Sequence, residues 1–170
     1  PCSYNMSVHA LEIKLENAKK MGNLPKIVIP VHFAGQSCEM DRISQFAKEY
    51  GFNVIEDASH SIGGSYHGSR VGSCAFSDMT VFSFHPVKII TTGEGGMCLT
   101  NDTSLAEKMS FFREHGITRR KEHMEPRTDE EIWNYQQVEL GYNFRMTDLE
   151  AALGISQMNR LDEFVLKRNK

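Results

Sequence analysis

The sequence predicts an α/β fold with a mostly parallel sheet flanked by helices. Apolar residues alternate along the chain between helical spacing and short strand-like runs. One helical stripe stands between two such runs about 25 residues apart, a spacing that suits a parallel pair joined by a crossover helix. The residues with chemical potential sit just past strand ends, where open parallel sheets bind ligands.

The elements follow in order. Val8, Leu11, Leu15 and Ala18 recur every three to four residues and predict an amphipathic helix closed by Gly22. Lys26 to Val31 reads as a buried strand that ends near Pro30, a residue with no N–H to give a ladder. Met40, Ile43, Phe46, Ala47 and Tyr50 form the next helical stripe, stopped by Gly51, and Phe52 to Glu56 is again strand-like. Gly63 to Gly72 is turn-rich and predicts a hairpin or loop. Met79 to Phe84 and Gly96 to Thr100 read as strands. Asn101-Asp102-Thr103 can cap a helix carrying Leu105, Met109 and Phe112 that stops near Gly116. Residues 117 to 137 are polar, without a clear period, and read as mostly loop. Thr147 and Glu150 form a capping box that opens one long final helix over about 147–168, marked by Leu149, Ala152, Leu153 and Leu161. No internal repeat or low-complexity segment is evident.

Composition excludes several function classes. The 170 residues suffice for one domain with a proper core, or for a large piece of a bigger one. A net charge of −3, with basic residues dispersed among acids, gives no electrostatic reason to expect a nucleic acid or an anionic membrane as partner. No run approaches the ~18 apolar residues that a membrane span needs. The four cysteines show no CxxC pair and the seven histidines no ligand spacing, so no metal site is expected. The N-terminus has neither an initiator Met nor a secretory pattern, which suggests an excerpt of a longer chain and reduced thiols in a cytoplasm.

Lys88 closes the strand segment Ser83-Phe84-His85-Pro86-Val87-Lys88 and precedes the glycine-rich Thr91 to Gly96. A lysine there can lose its proton on desolvation and attack a carbonyl to form a Schiff base. Taken alone, a lysine after a strand is ordinarily a solvated surface residue. Glu56 and Asp57 place two acids at another strand end, where a carboxylate can pair with a protonated pyridine nitrogen or, equally, cap the following turn. His60 is suited to stacking on a ring or to an ordinary loop role. The Gly93 to Gly96 loop lacks the GxGxxG spacing of a dinucleotide fingerprint. Gly141-Tyr142-Asn143-Phe144-Arg145 mixes polar and aromatic residues before a helix start, where an Asx turn is the simpler account of each residue singly.

Together, Glu56-Asp57-Ala58-Ser59-His60, Phe82-Ser83-Phe84-His85-Pro86-Val87-Lys88, Thr91-Thr92-Gly93-Glu94-Gly95-Gly96 and Gly141-Tyr142-Asn143-Phe144-Arg145 stand in an informative order. That order and spacing resemble the sugar aminotransferases of the DegT/StrS type, which use pyridoxal 5′-phosphate. The resemblance covers nearly the whole chain. It implies the large domain of a fold-type I aminotransferase, with residues 1–170 a partial, middle section leading toward a small C-terminal domain. It further implies that Lys88 is the Schiff-base lysine and proton shuttle, that Asp57 pairs with the pyridine nitrogen, and that His60 lies beside the ring. Ser83 would bind the cofactor phosphate. Asn143 and Arg145 would reach a partner subunit's site in a homodimer, with Asn143 contacting the phosphate. His85 and Glu94 would touch substrate.

Leu24 to Met40 and His85 to Met97 resemble most closely the branch of this family that serves pseudaminic acid biosynthesis. That branch implies amination at C4 of a UDP-linked 4-keto-6-deoxy-N-acetylhexosamine, with glutamate as donor. Another nucleotide-sugar aminotransferase, or a catalytically incomplete piece without turnover of its own, are the alternatives. A related sugar 3-dehydratase would carry histidine in place of Lys88.

Overall fold

A computed structural model describes residues 3–126 and 133–170. Cys2 and the stretch 127–132 of the expected loop lie outside the described residues. The chain divides into two compact units, residues 1–101 with 148–170, and residues 102–147.

The first unit begins with helix α1 (Val8–Lys20), whose Ser7 Oγ accepts the Ala10 N–H at 3.3 Å. Strand β1 (Ile27–Val28) follows, then helix α2 (Met40–Tyr50) and strand β2 (Asn53–Asp57). A small antiparallel hairpin, β3 (Ser65–Tyr66) with β4 (Ser69–Arg70), precedes β5 (Met79–Ser83) and β6 (Gly96–Leu99). Among the described residues β1, β2, β5 and β6 form one sheet in that order. β1, β2 and β5 run parallel and β6 pairs antiparallel with β5, which gives the mostly parallel sheet expected.

The first strand is shorter than the Lys26–Val31 run. Pro30 interrupts it by lacking an N–H, yet the ladder resumes past it. The Asp57 N–H donates to the Pro30 carbonyl at 2.9 Å and the His32 N–H to the Asp57 carbonyl at 3.0 Å. The core lies where α1 and α2 meet β1 and β2: Leu15, Val28, Met40, Ile43, Phe46 and Val54 are buried together. The helical spacing of α2 is what turns Met40, Ile43 and Phe46 to one side. Along β2 and β5 burial alternates, so Val54, Glu56, Thr80 and Phe82 face inward while Ile55, Asp57, Val81 and Ser83 share the other, half-buried face.

The expected single helix over 147–168 is instead two: α4 (Asp148–Met158) and α5 (Leu161–Arg168). At the break the Arg160 N–H bonds the Gln157 carbonyl, a tightened last turn. Asp162 and Glu163 then supply the acidic first turn that favours a new helix start. The two helices pack on the segments around the sheet ends. A Cβ at Gly154 would stand 2.8 Å from the Thr92 methyl, and one at Gly63 would stand 2.8 Å from Val165 Cγ2.

In the second unit, Asp102 caps α3 (Thr103–Arg113) by accepting the Ser104 N–H at 2.7 Å and the Leu105 N–H at 3.2 Å. Beyond it, β7 (Ile117–Thr118) pairs antiparallel with β8 (Gln136–Gln137) inside the region expected to be mostly loop. This pair rests on backbone bonds between largely polar residues, which leave no hydrophobic period to read.

Candidate functional site

The C-terminal ends of β1, β2 and β5 bring together most of the expected site residues. Asp57 is the last residue of β2 and pairs in register with Val81, two residues before Ser83 at the end of β5. Since side chains alternate along strands, Asp57 and Ser83 stand on the same face of the sheet. The chain turns after Ser83, and the Lys88 N–H closes that turn on the His85 carbonyl at 2.9 Å. Lys88 is half-buried, and its carbonyl accepts Arg168 Nη2 at 3.0 Å.

Burial of Asp57 favours its neutral acid. The Ser59 N–H, 3.1 Å from Oδ1, and the charges of His60 and Lys88 outweigh that and hold the carboxyl below the usual aspartate range. Asp57 therefore presents an ionised carboxylate on the open face, with the Lys88 ammonium close enough to act on it. The same Ser59 contact is an Asx turn, so the capping role considered from the sequence is also present.

His60 is exposed, and its Nδ1 accepts the Ala34 N–H at 3.3 Å. Phe33 meets the ring edge-on, with centroids 6.1 Å apart. Ser83 Oγ accepts the His85 N–H at 3.4 Å. His85 and Glu94 are both exposed and stand 3.9 Å apart as a loose pair, while His85 Nδ1 accepts the Val87 N–H. The glycine loop has a steric reason for its composition at Gly96. A Cβ there would lie 2.8 Å from the Phe82 carbonyl oxygen, inside the β5–β6 pairing.

Asn143 and Arg145 belong to the second unit. Asn143 forms an isolated bridge with Glu114, and Tyr142 stacks on Phe144 with centroids 4.9 Å apart. Arg145 lines a cavity of about 800 Å³ with Arg113, Arg119, Arg120 and Tyr135.

A buried polar cluster under Asp57 was not legible beforehand. His32 is fully buried and its Nε2 lies 2.7 Å from Glu56 Oε2. Ser77 and Thr80 donate their hydroxyls to Glu56 Oε1. Burial favours the neutral acid of Glu56, but the hydrogen bonds from His32, Ser77 and Thr80 prevail and lower its pKa. For His32, burial resists charge while the Glu56 carboxylate against Nε2 favours it. The Cys38 N–H, 3.2 Å from Nδ1, can only donate and so needs a bare Nδ1. That contact favours the tautomer with its proton on Nε2, given to Glu56. The available signal was the polar Glu56 at an inward position of an alternating strand, which must find a partner.

Among the described residues, no helix is long and apolar enough to cross a membrane, and no group of three His, Cys, Asp or Glu side chains could hold a metal.

The chain is 41% identical over 167 residues to the UDP-4-amino-4,6-dideoxy-N-acetyl-beta-L-altrosamine transaminase of Campylobacter jejuni, a match covering 98% of this chain and 40% of that protein. It is 40% identical over 145 residues to the GDP-perosamine synthase of Caulobacter vibrioides, covering 85% of this chain and 35% of that protein. Helicobacter pylori PseC, an aminotransferase involved in the biosynthesis of pseudoaminic acid, matches in structure with a TM-score of 0.78 at 33% identity, over 93% of this chain and 38% of that chain. The chain thus spans well under half the length of the relatives it matches. The sequence profile of the DegT/DnrJ/EryC1/StrS aminotransferase family matches residues 1–170, and the chain belongs to that family.

Proposed function

We propose that this chain carries the lysine-bearing part of a pyridoxal-phosphate-dependent sugar aminotransferase of nucleotide-sugar biosynthesis. One arrangement supports the reading above all: ionised Asp57 and Ser83 on one sheet face, with Lys88 in electrostatic reach of Asp57. This donor set fits the cofactor, since a carboxylate suits a pyridinium nitrogen, a hydroxyl suits a phosphate, and no side-chain hydrogen bond or ion pair engages the Lys88 ammonium among the described residues.

When bound, the cofactor supplies an electron sink for the electrons of a broken C–H bond. Lys88 Nζ would hold it covalently and, once displaced by the amino donor, carry a proton between the donor's α-carbon and the cofactor's C4′. The Asp57 carboxylate would keep a proton on the pyridine nitrogen. Ser83 Oγ would bind the phosphate, and the His60 ring would border the cofactor ring. Asn143 and Arg145 would serve a partner subunit's site in a homodimer, with His85 and Glu94 toward substrate.

We further propose a UDP-linked 4-keto-6-deoxy-N-acetylhexosamine as acceptor and glutamate as donor, in a cytoplasmic enzyme of pseudaminic acid biosynthesis. The Campylobacter and Helicobacter relatives support this. The likeness to GDP-perosamine synthase keeps a GDP-sugar as the second reading. The test is an absorbance spectrum of the full-length protein with pyridoxal phosphate, before and after borohydride, followed by peptide mapping. A visible band lost on reduction, with the label on Lys88, is the expected result. A label on another lysine, or no band, overturns the reading. Turnover of UDP- against GDP-linked keto-sugars then separates the two substrate readings.

A further inference from the structure

The buried residue His32 holds both ends of the segment that carries Asp57 and His60. Its backbone N–H donates to the Asp57 carbonyl at 3.0 Å, and its own carbonyl accepts Ser61 Oγ at 3.3 Å. Its side chain also holds Glu56, the β2 residue just before Asp57, at 2.7 Å. His32 and Ser61 are each at most 1% exposed and Glu56 is 5% exposed, so solvent does not compete for these bonds. The corner that follows His32 reaches the site as well. The Ala34 N–H bonds His60 Nδ1, and Gly35 packs so closely that a Cβ would lie 3.0 Å from the His60 carbonyl oxygen. Cys38 closes the far side of the corner by giving its N–H to His32 Nδ1.

We infer that His32 is a positioning residue, which fixes the Asp57–His60 segment at the end of β2 through its buried bond to Glu56 and its backbone bonds to Asp57 and Ser61. Its relevance to catalysis rests on Asp57 and His60 being the cofactor residues proposed above, but the positioning itself does not. Without the His32 side chain, Glu56 loses its imidazole donor and the corner at 32–38 loses its anchor. Asp57 then samples orientations in which the Ser59 N–H no longer meets its carboxylate.

The test compares His32→Leu, which cannot bond to Glu56, with His32→Gln, whose amide restores a donor near the Nε2 position. The full-length protein is studied without cofactor by carboxyl-carbon NMR titration and by amide exchange at Ser59. The wild-type Asp57 carboxyl should titrate below the usual aspartate value. In His32→Leu it should move up toward that value, with Ser59 exchange at least tenfold faster, while the surface carboxyl of Glu163 stays unchanged as an internal control. His32→Gln should recover most of both effects. A general loss of packing would not single out Asp57, nor be reversed by a donor at one atom. Should His32→Leu not fold, Ser61→Ala, which removes only the bond to the His32 carbonyl, should still speed Ser59 exchange. Unchanged Asp57 titration and Ser59 exchange in the folded variants overturn the inference. Loss of the cofactor band in wild type would sink the functional reading alone, because these readouts need no cofactor. With cofactor bound, His32→Leu should lower kcat at least tenfold at saturating donor.

Discussion

His32 Nε2 and Glu56 Oε2 meet at 2.7 Å beneath the sheet end, with side chains only 0% and 7% exposed. A buried carboxylate with three donors is stable because each bond replaces one lost to water. Glu56→Ala removes the acceptor and leaves His32, Ser77 and Thr80 facing one another. We expect it to destabilise the fold by about 3 to 5 kcal/mol, as for other buried pairs broken on one side. Denaturant unfolding checks this, and a loss below about 1 kcal/mol would show that the cluster is not a structural anchor.

The same carboxyl predicts an acid limit. Its folded pKa lies below the ordinary value because His32, Ser77 and Thr80 outweigh burial, so the folded state binds this proton less readily than the unfolded one. The stability it contributes is whole above the ordinary glutamate pKa of about 4.3 and is lost as pH falls through the lower folded value. Unfolding midpoints measured from pH 6 to pH 3, on the order of the range this requires, should fall less steeply for Glu56→Gln than for wild type. Parallel curves would assign the acid limit to other groups.

Asp57→Asn tests the electron-sink role. The amide keeps the size and the Ser59 contact but cannot hold a full charge opposite a pyridinium. Cofactor should still bind, while the half-reaction with glutamate slows by at least about 100-fold, the scale on which fixed catalytic electrostatics act. Rapid-mixing absorbance measures it, and near-normal rates would mean that another acid serves the ring.

Much of this arrangement was legible because it is written locally. The three-to-four spacing of Met40, Ile43, Phe46 and Tyr50 marked α2 with both of its ends, and the short segments around Asp57 and Lys88 marked the strand ends. What escaped was long-range or backbone-borne. His32 finds Glu56 across 24 positions, a pairing no local period encodes. β7 and β8 join through main-chain bonds beside polar side chains. The break between α4 and α5 was hidden because Leu149, Leu153 and Leu161 continue a helical stripe. Yet Leu149 is 85% exposed, so burial against the described residues does not hold that stripe together.

Lys88→Ala removes the amine that would both hold the cofactor and move the proton. The visible band and sugar transamination should vanish together, whereas thermal unfolding without cofactor should shift little, because the side chain makes no ion pair among the described residues. Retained turnover would overturn the assignment of this lysine.

Gly154 sets two effects of opposite sign against each other. It lies inside α4, where replacing glycine by alanine ordinarily stabilises a helix by roughly 0.5 to 1 kcal/mol. Here the added Cβ would approach the Thr92 methyl to 2.8 Å. Thr92 is buried, its N–H bonds the Phe84 carbonyl, and its hydroxyl bonds the Glu94 carbonyl, so it cannot turn aside without breaking a bond in the loop after Lys88. Overpacking of this kind costs about 1 to 3 kcal/mol. We therefore expect Gly154→Ala to be destabilising overall. In a Thr92→Ser background the obstructing methyl is gone and the hydroxyl remains, so the same substitution should become neutral or stabilising. A thermal-unfolding double-mutant cycle reads this reversal directly. Equal effects in both backgrounds would show that α4 shifts as a body rather than pressing on Thr92.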